Sequence, residues 1–283
     1  MMTLDYLRSA LPSLGNFSLW QRPTLLTREG SRQGRVDLVG AGPGAPDLIT
    51  RKGWKALLAA DVIVYDALVS DELMQEIPAT IRRIYVGKLK GQHSVSQPQI
   101  CRMLVQLARE GLQIVRLKGG DPLVFGRLTE EMDALRAADI PFSIVPGITA
   151  AAGCAASCNL PLTERVTAPR LRLITAHSCD DRPIDWSDLA RRDETLVFYM
   201  GLSMAETISN ELQQHGLPND WPVLLVERGT HADQRALRTD LAEMSTTIEQ
   251  HALKSPTLIL VGKVVEQYRE ASETIEQMLA ETC

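Results

Sequence analysis

The sequence predicts an α/β protein built as two α/β domains, and three observations carry that prediction. From Arg35 onward, short β-branched runs alternate with longer amphipathic ones, the pattern of βαβ units on a parallel sheet. Several of the short runs stop on glycine, where a chain can turn sharply into the next helix. Near Pro146 the alternation gives way to small residues and then starts again. With 283 residues, 45% hydrophobic and 23% charged, the chain has an ordinary globular composition and the length for one large or two medium domains, of which two is the better reading.

Taken in order, residues 1–34 show weak periodicity and end in the polar "TREGSRQG", so they read as an extension before the first domain, 35–146. That domain opens with "RVDLVGAG", a strand by its short β-branched run. It continues as helix "TRKGWKALLAA", strand "DVIVYD", helix "SDELMQEI", strand "IRRIYVG", helix "QPQICRMLVQLAREG", strand "QIVRLKGG", helix "TEEMDALRAA" and the apolar run "PFSIVPG". The small-residue stretch "ITAAAGCAASCNLPLTERVTAPR" follows and begins the second domain, 147–265. Its strands are "LRLITAHS", "TLVFYMG", "WPVLLVERG" and "SPTLILVG", with "HADQR" as a loop or hairpin, and 266–283 form a tail.

Composition excludes several function classes. A net charge of -5 argues against bulk nucleic-acid binding. No apolar run approaches the roughly eighteen residues of a membrane helix. The N-terminus also lacks a basic start followed by a long apolar core, so a cytoplasmic protein with no membrane partner is expected. The five cysteines, Cys101, Cys154, Cys158, Cys179 and Cys283, contain no CxxC pair and are odd in number, as reduced thiols would be. Cys154 and Cys158 would share a helix face, where small core residues are a better reading than a metal site.

The glycines carry the chemistry. Gly40, Gly42 and Ala45 satisfy a permissive G-x-G-x-x-[GA], and Asp66 ends the next strand where a ribose-binding acid would sit, so a nicotinamide enzyme is one reading. Against it, Pro43 and Pro46 remove two N–H donors from the turn that would cradle a pyrophosphate. A donor-poor loop suits a flat, uncharged group such as adenine or a thioether, while the plain alternative is a tight turn with no ligand. A second cluster, "VRLKGGDPLVFGR", ends another strand on Gly119, Gly120 and Asp121. Two such loops at carboxyl ends of parallel strands face one crevice. Asp121 there would answer an ammonium group or simply cap a helix.

Together, "VGAGPGAPDLIT", "ADVIVYDALVS", "YVGK", "RLKGGDPLVFGR", "VPGITAA", "PLTER", "FYMG" and "SPTLILVG" resemble, in order and spacing, the tetrapyrrole methylases over about Arg35 to Val265. The resemblance implies two α/β domains with S-adenosylmethionine in the cleft between them, the tetrapyrrole methylase fold, and a homodimer. It implies cofactor contacts at Pro43, Gly119, Gly120, Asp121, Val124, Thr149, Ala150, Met200 and Gly229, and proton handling by Asp66 and Lys88. The implied reaction moves two methyl groups to uroporphyrinogen III, giving precorrin-2 by way of precorrin-1 with release of S-adenosylhomocysteine, for siroheme or cobalamin synthesis.

In-line displacement at a sulfonium methyl asks mainly for alignment and exclusion of water, and the ring that is attacked must then lose a proton, for which Asp66 is a suitable base. As plain alternatives, Asp66 would be a helix cap and Lys88 a solvated charge. The eight carboxylates of the substrate call for local cations, for which Arg82, Arg83, Lys88, Lys90, Arg127, Arg165, Arg170 and Arg172 are candidates. Leu89, Ser157, Asn159, Glu164 and the "RLTEE" run depart from the family pattern, which leaves a later corrin intermediate as an alternative substrate. The dehydrogenase and ferrochelatase module that precedes this domain in bifunctional siroheme synthases is expected to be absent. A nicotinamide-linked oxidoreductase and a non-catalytic nucleotide-binding module are the competing classes.

Overall fold

The computed structural model describes residues 33–87, 95–176 and 184–269, all within one compact unit that begins at Gln33. Five parallel strands form the first sheet: β1 (Arg35–Gly40), β2 (Val62–Tyr65), β3 (Arg82–Tyr85), β4 (Gln113–Lys118) and β5 (Phe142–Val145), in the order β3-β2-β4-β1-β5. Helices α1 (Arg51–Leu58), α2 (Asp71–Glu76), α3 (Gln97–Arg109) and α4 (Leu128–Ala137) supply the crossovers. Side chains alternate across this sheet as its pleat requires. Val36, Leu38, Val62, Val64 and Ile114 pack with Ile100, Leu104 and Leu135 of α3 and α4, whereas Val39, Ile63, Val115 and Leu117 pack with Leu57, Leu73 and Met74 of α1 and α2.

A short helix, α5 (Ala150–Ser157), leads out of β5. It ends where Asn159 adopts φ 50°, a left-handed conformation that asparagine tolerates and that a glycine would otherwise supply. The second sheet comprises β6 (Arg170–Thr175), β7 (Glu194–Tyr199), β8 (Pro222–Glu227), β9 (Arg235–Asp240) and β10 (Thr257–Val261), ordered β6-β7-β10-β8-β9. Here only β6 and β7 run parallel; β10 pairs antiparallel with β7 and β8, and β8 with β9. The expected loop or hairpin at "HADQR" is the β8–β9 hairpin connection. Between β6 and β10 lie α6 (Trp186–Leu189), α7 (Ala205–Gln214) and α8 (Met244–Gln250). Phe198, Leu196, Val223 and Ile259 pack on α7 and α8, and the opposite face, with Val197, Leu224, Leu258 and Leu260, packs on Ala151, Cys154 and Cys158. Helix α5 therefore starts beside the glycine ends of the first sheet and buries its flank against the second. Cys154 and Cys158 are the small core residues expected of them, and burial pushes the Cys154 thiol up to about 12. No helix among the described residues is long and apolar enough to cross a membrane.

Candidate functional site

Three glycines lock the carboxyl ends of the first sheet together. A Cβ on Gly147 would lie 2.2 Å from the Gly120 carbonyl oxygen and 2.8 Å from the Gly40 Cα, so no side chain fits there. The two glycine-rich loops then pair directly, with Gly42 N donating to Gly120 O at 3.2 Å and Gly120 N to Gly42 O at 2.7 Å. The second sheet reaches into the same place through the β8–β9 connection, where Ala45 N donates to Thr230 Oγ1 at 3.0 Å. Helix α5 closes the group: a Cβ on Gly153 would meet Pro43 Cγ at 2.4 Å, and one on Gly229 would meet Cys154 Sγ at 2.2 Å.

Of the residues expected at the cofactor, Gly120 faces Ala150, Pro43 and Gly229 lie against Gly153 and Cys154 of α5, and Thr149 meets Tyr199; Gly119, Asp121 and Val124 continue the Gly120 loop, and Met200 follows Tyr199. Gly120 has φ 67°, and a Cβ there would find only Ala150 N, at 3.8 Å, so the backbone is open to a close approach. Asp121 makes a local turn, its Oδ1 accepting from Leu123 N at 3.0 Å, which is the capping alternative in a modified form. Tyr199 joins the halves: its hydroxyl lies 2.7 Å from Thr149 Oγ1 and accepts from Ala151 N at 2.9 Å, and its ring packs on Phe125 at 5.0 Å between centroids. Next to it, Met200 is held at φ 55° and is half exposed; Phe125, Arg127, Arg228 and Thr230 also take left-handed backbone. Such conformations persist only where surrounding contacts impose them.

The loop chemistry discriminates between ligands. Beyond the donors that Pro43 and Pro46 lack, those of Gly42, Ala45 and Gly120 are committed to carbonyl or hydroxyl oxygens. A pyrophosphate would find few N–H groups, whereas a flat group lying on Gly120 needs none. Sequence reading overlooked Tyr199 and Thr230; the only signal was a polar residue beside each glycine or methionine already singled out.

Asp66 lies one residue past β2. Its Oδ1 accepts from Leu68 N at 3.2 Å and its Oδ2 pairs with Arg116 Nη2 at 3.0 Å. Lys88, the other proton-handling residue expected, lies outside the described residues, as do Leu89 and Lys90. Of the expected substrate cations, Arg170 pairs with Asp193 in the turn before β7, and Arg172 with Asp188 of α6 and Glu194 of β7. Arg127 pairs with Glu130 at 2.8 Å on the surface, and Arg83 donates to Ile77 O at 2.6 Å. Arg82 and Arg165 are exposed, with no ion-pair partner among the described residues. Of the departures from the family pattern, Ser157 donates to Gln234 Oε1 at 2.7 Å, an oxygen that also accepts from Thr230 N at 2.6 Å, which ties α5 to the hairpin loop. Glu164 accepts from Thr167 Oγ1 within a tight turn closed by backbone pairing with Ala168.

Comparison with known proteins agrees with this layout. Siroheme synthase 2 of Yersinia enterocolitica is 50% identical over 235 residues, 83% of this chain and 49% of the relative, so the chain spans about half the length of the curated relatives it matches. The crystal structure of uroporphyrin-III C-methyl transferase from Thermus thermophilus complexed with S-adenyl homocysteine is 35% identical, with a TM-score of 0.72 over 83% of this chain and 100% of that one. A cobalamin biosynthetic enzyme, cobalt precorrin-4 methyltransferase, is 27% identical with a TM-score of 0.75 over 83% of this chain and 98% of its own. Residues 35–245 match the family described as Tetrapyrrole (Corrin/Porphyrin) Methylases, a span that starts at β1 and runs into α8, and the chain belongs to that family.

Proposed function

We propose that the protein is an S-adenosylmethionine-dependent uroporphyrinogen-III C-methyltransferase, converting uroporphyrinogen III through precorrin-1 to precorrin-2 for siroheme or cobalamin synthesis. The observation that carries this reading is the mutual pairing of the Gly42 and Gly120 loops, which leaves an open, donor-poor shelf at Gly120 beside the start of α5. Uroporphyrinogen III is favoured over a later corrin intermediate because the neighbour named for uroporphyrin III is 35% identical and the one named for precorrin-4 is 27% identical.

When bound, S-adenosylmethionine supplies an electrophilic methyl on a sulfonium. The segments 35–146 and 147–265 act as two domains flanking its cleft. Pro43, Gly119, Gly120, Asp121 and Val124 receive it from one side and Thr149, Ala150, Met200 and Gly229 from the other. Asp66 accepts the proton that the methylated pyrrole ring must shed, and Lys88 donates a proton or offsets charge. Arg82 and Arg165, together with Lys88 and Lys90, meet substrate carboxylates at the mouth of the cleft. The enzyme works as a homodimer in the cytoplasm, and light scattering that found a fully active monomer would refute the dimer.

Calorimetry tests the cofactor. S-adenosylhomocysteine is expected to bind at micromolar or tighter affinity and NADP(H) not at all; saturable NADP binding that displaces S-adenosylhomocysteine would overturn the reading. Gly120→Val is expected to fold and lose S-adenosylhomocysteine binding, since a β-branched side chain would occupy the shelf in a backbone conformation it disfavours.

A further inference from the structure

We propose that Arg116 is a positioning residue: it aims the Asp66 carboxylate into the cleft and is itself held by Glu131, which Lys118 of the same strand and Gln97 of α3 fix in place. The inference rests on the reading of Asp66 as the proton acceptor. Strand β4 pairs with β2 in a register that sets Arg116 opposite Val64, two residues before Asp66. Alternation along β4 puts Ile114, Arg116 and Lys118 on the face covered by α3 and α4. Each guanidinium nitrogen has an acceptor. Nε donates to Glu131 Oε1 at 3.0 Å, Nη1 to Leu117 O at 2.8 Å and Val64 O at 3.4 Å, and Nη2 to Asp66 Oδ2 at 3.0 Å. A planar fork pinned on every side cannot swing, so the oxygen it grips is fixed in direction.

Glu131 receives Lys118 Nζ on both oxygens at 3.0 Å and Gln97 Nε2 at 3.1 Å. The side chains of Arg116, Lys118 and Glu131 are 4%, 5% and 0% exposed, and that of Asp66 is 25% exposed. Two buried cations thus face one buried anion, and the second anion is the one group of the four that reaches solvent. The Glu131 carboxylate ties the two ends of the glycine-rich loop, since Lys118 precedes Gly119 and Glu131 stands in the first turn of the helix that follows. Asp66 is also next to that loop, since its Oδ1 accepts from Leu68 N and a Cβ on Gly119 would meet Leu68 Cβ at 2.4 Å, a placement that a purely structural ion cluster would not need.

Arg116→Lys keeps the charge but cannot reach all of these acceptors. It is to be made alone and together with Asp66→Asn, with single-turnover methylation of uroporphyrinogen III and S-adenosylhomocysteine calorimetry on each protein. If Arg116 acts through Asp66, the substitution slows methylation by about tenfold or more with Asp66 present and by less than about twofold in the Asp66→Asn background, because effects on one functional unit do not add. S-adenosylhomocysteine affinity stays within about twofold throughout. Equal slowing in both backgrounds, an unslowed Arg116→Lys, or a loss of affinity that matches the loss of rate would overturn the proposal. Should circular dichroism show Arg116→Lys unfolded, Arg116→Gln takes its place in the cycle, and failure of both to fold would assign Arg116 to the fold alone. Wild-type rates in Asp66→Asn itself would end the proton-acceptor reading together with this one, whereas a slow Asp66→Asn with additive losses ends only this one.

Discussion

Strands β4 and β7 both end where the two sheets meet, β4 at the Gly119–Gly120 loop and β7 at Tyr199, yet they handle buried charge differently. In β4 the cations Arg116 and Lys118 occupy the end nearest the glycine loop, with Glu131 between them. In β7 the buried acid is Glu194, the first residue of the strand, while the end at the site carries the neutral Tyr199 hydroxyl. Strand β7 therefore uses its buried charge to join itself to β6 through Arg172, remote along the strand from Met200. The first sheet places a charge network where it touches the part-exposed Asp66. Substitutions in the β4 network should disturb both stability and chemistry, and substitutions at the start of β7 should disturb stability alone.

The largest effect expected is that of Glu131→Ala. It would leave Arg116 and Lys118 buried without their counter-ion, a loss on the scale of about 3–5 kcal/mol when one partner of a buried ion pair is removed. Urea unfolding of Glu131→Ala and Glu194→Ala sharpens the comparison. Glu194 should cost less, because its partner Arg172 is part exposed and keeps Asp188. Equal losses would mean that the two networks do the same work.

Asp66→Asn comes next. The substitution keeps size and most hydrogen bonding but removes basicity, so methylation should fall by about a hundredfold or more, roughly 2.7 kcal/mol of transition-state stabilisation. S-adenosylhomocysteine titration should scarcely change. If affinity falls and the rate at saturating cofactor survives, the carboxylate belongs to ligand binding after all.

Much of this layout was legible in the sequence, for identifiable reasons. Apolar runs that stop on glycine marked β1 and β4, and the same glycines lie at the convergence of the two sheets. The restart near Pro146 marked the passage from a parallel sheet to a second one. What escaped notice depends on partners distant in sequence. Arg116 meets Asp66 across 50 residues and Thr230 meets Ala45 across 185, and neither pairing leaves a local pattern. One signal for Arg116 was present: a parallel strand is usually covered on both faces, so cations inside "QIVRLKGG" had to be buried and paired. The ion pairs of Arg170 and Arg172 left no local pattern either, since the acids that neutralise them, Asp188, Asp193 and Glu194, come from the following helix, the turn after it and the next strand.

Tyr199→Phe probes the neutral half of the comparison. Without the hydroxyl, Ala151 N in the first turn of α5 loses its acceptor and Thr149 its partner, which costs about 1 kcal/mol. If Thr149 and Ala150 receive the cofactor as proposed, S-adenosylhomocysteine affinity should weaken by about fivefold, the same energy expressed as a binding ratio. The rate at saturating cofactor should hold. A fall in rate with unchanged affinity would mean that β7, too, serves the chemistry directly.

The smallest effect separates the two acids that share Arg172. Burial pushes the Glu194 carboxyl up, against the pull of Arg172, and its Oε1 has no hydrogen-bond partner among the described residues. Asp188, at the surface, is held down at about 2 by hydrogen bonds from Arg172 and Arg191. The signs are opposite. A carboxyl raised in the folded state favours folding below its unfolded value, near 4.5, and that contribution is lost as pH rises through the folded value. A carboxyl lowered in the folded state favours folding above its unfolded value, near 3.8, and that contribution is lost as pH falls toward 2. Gln and Asn do not titrate, so each substitution removes one of these dependences. The melting temperature of Glu194→Gln, measured against wild type, should therefore rise as pH is taken upward from about 4. That of Asp188→Asn should fall relative to wild type between about pH 2 and 4 and then stay level. Parallel curves for the two variants would show that Arg172, and not burial, governs Glu194, and would remove the distinction between a desolvated acid at the start of β7 and a solvated one beside it.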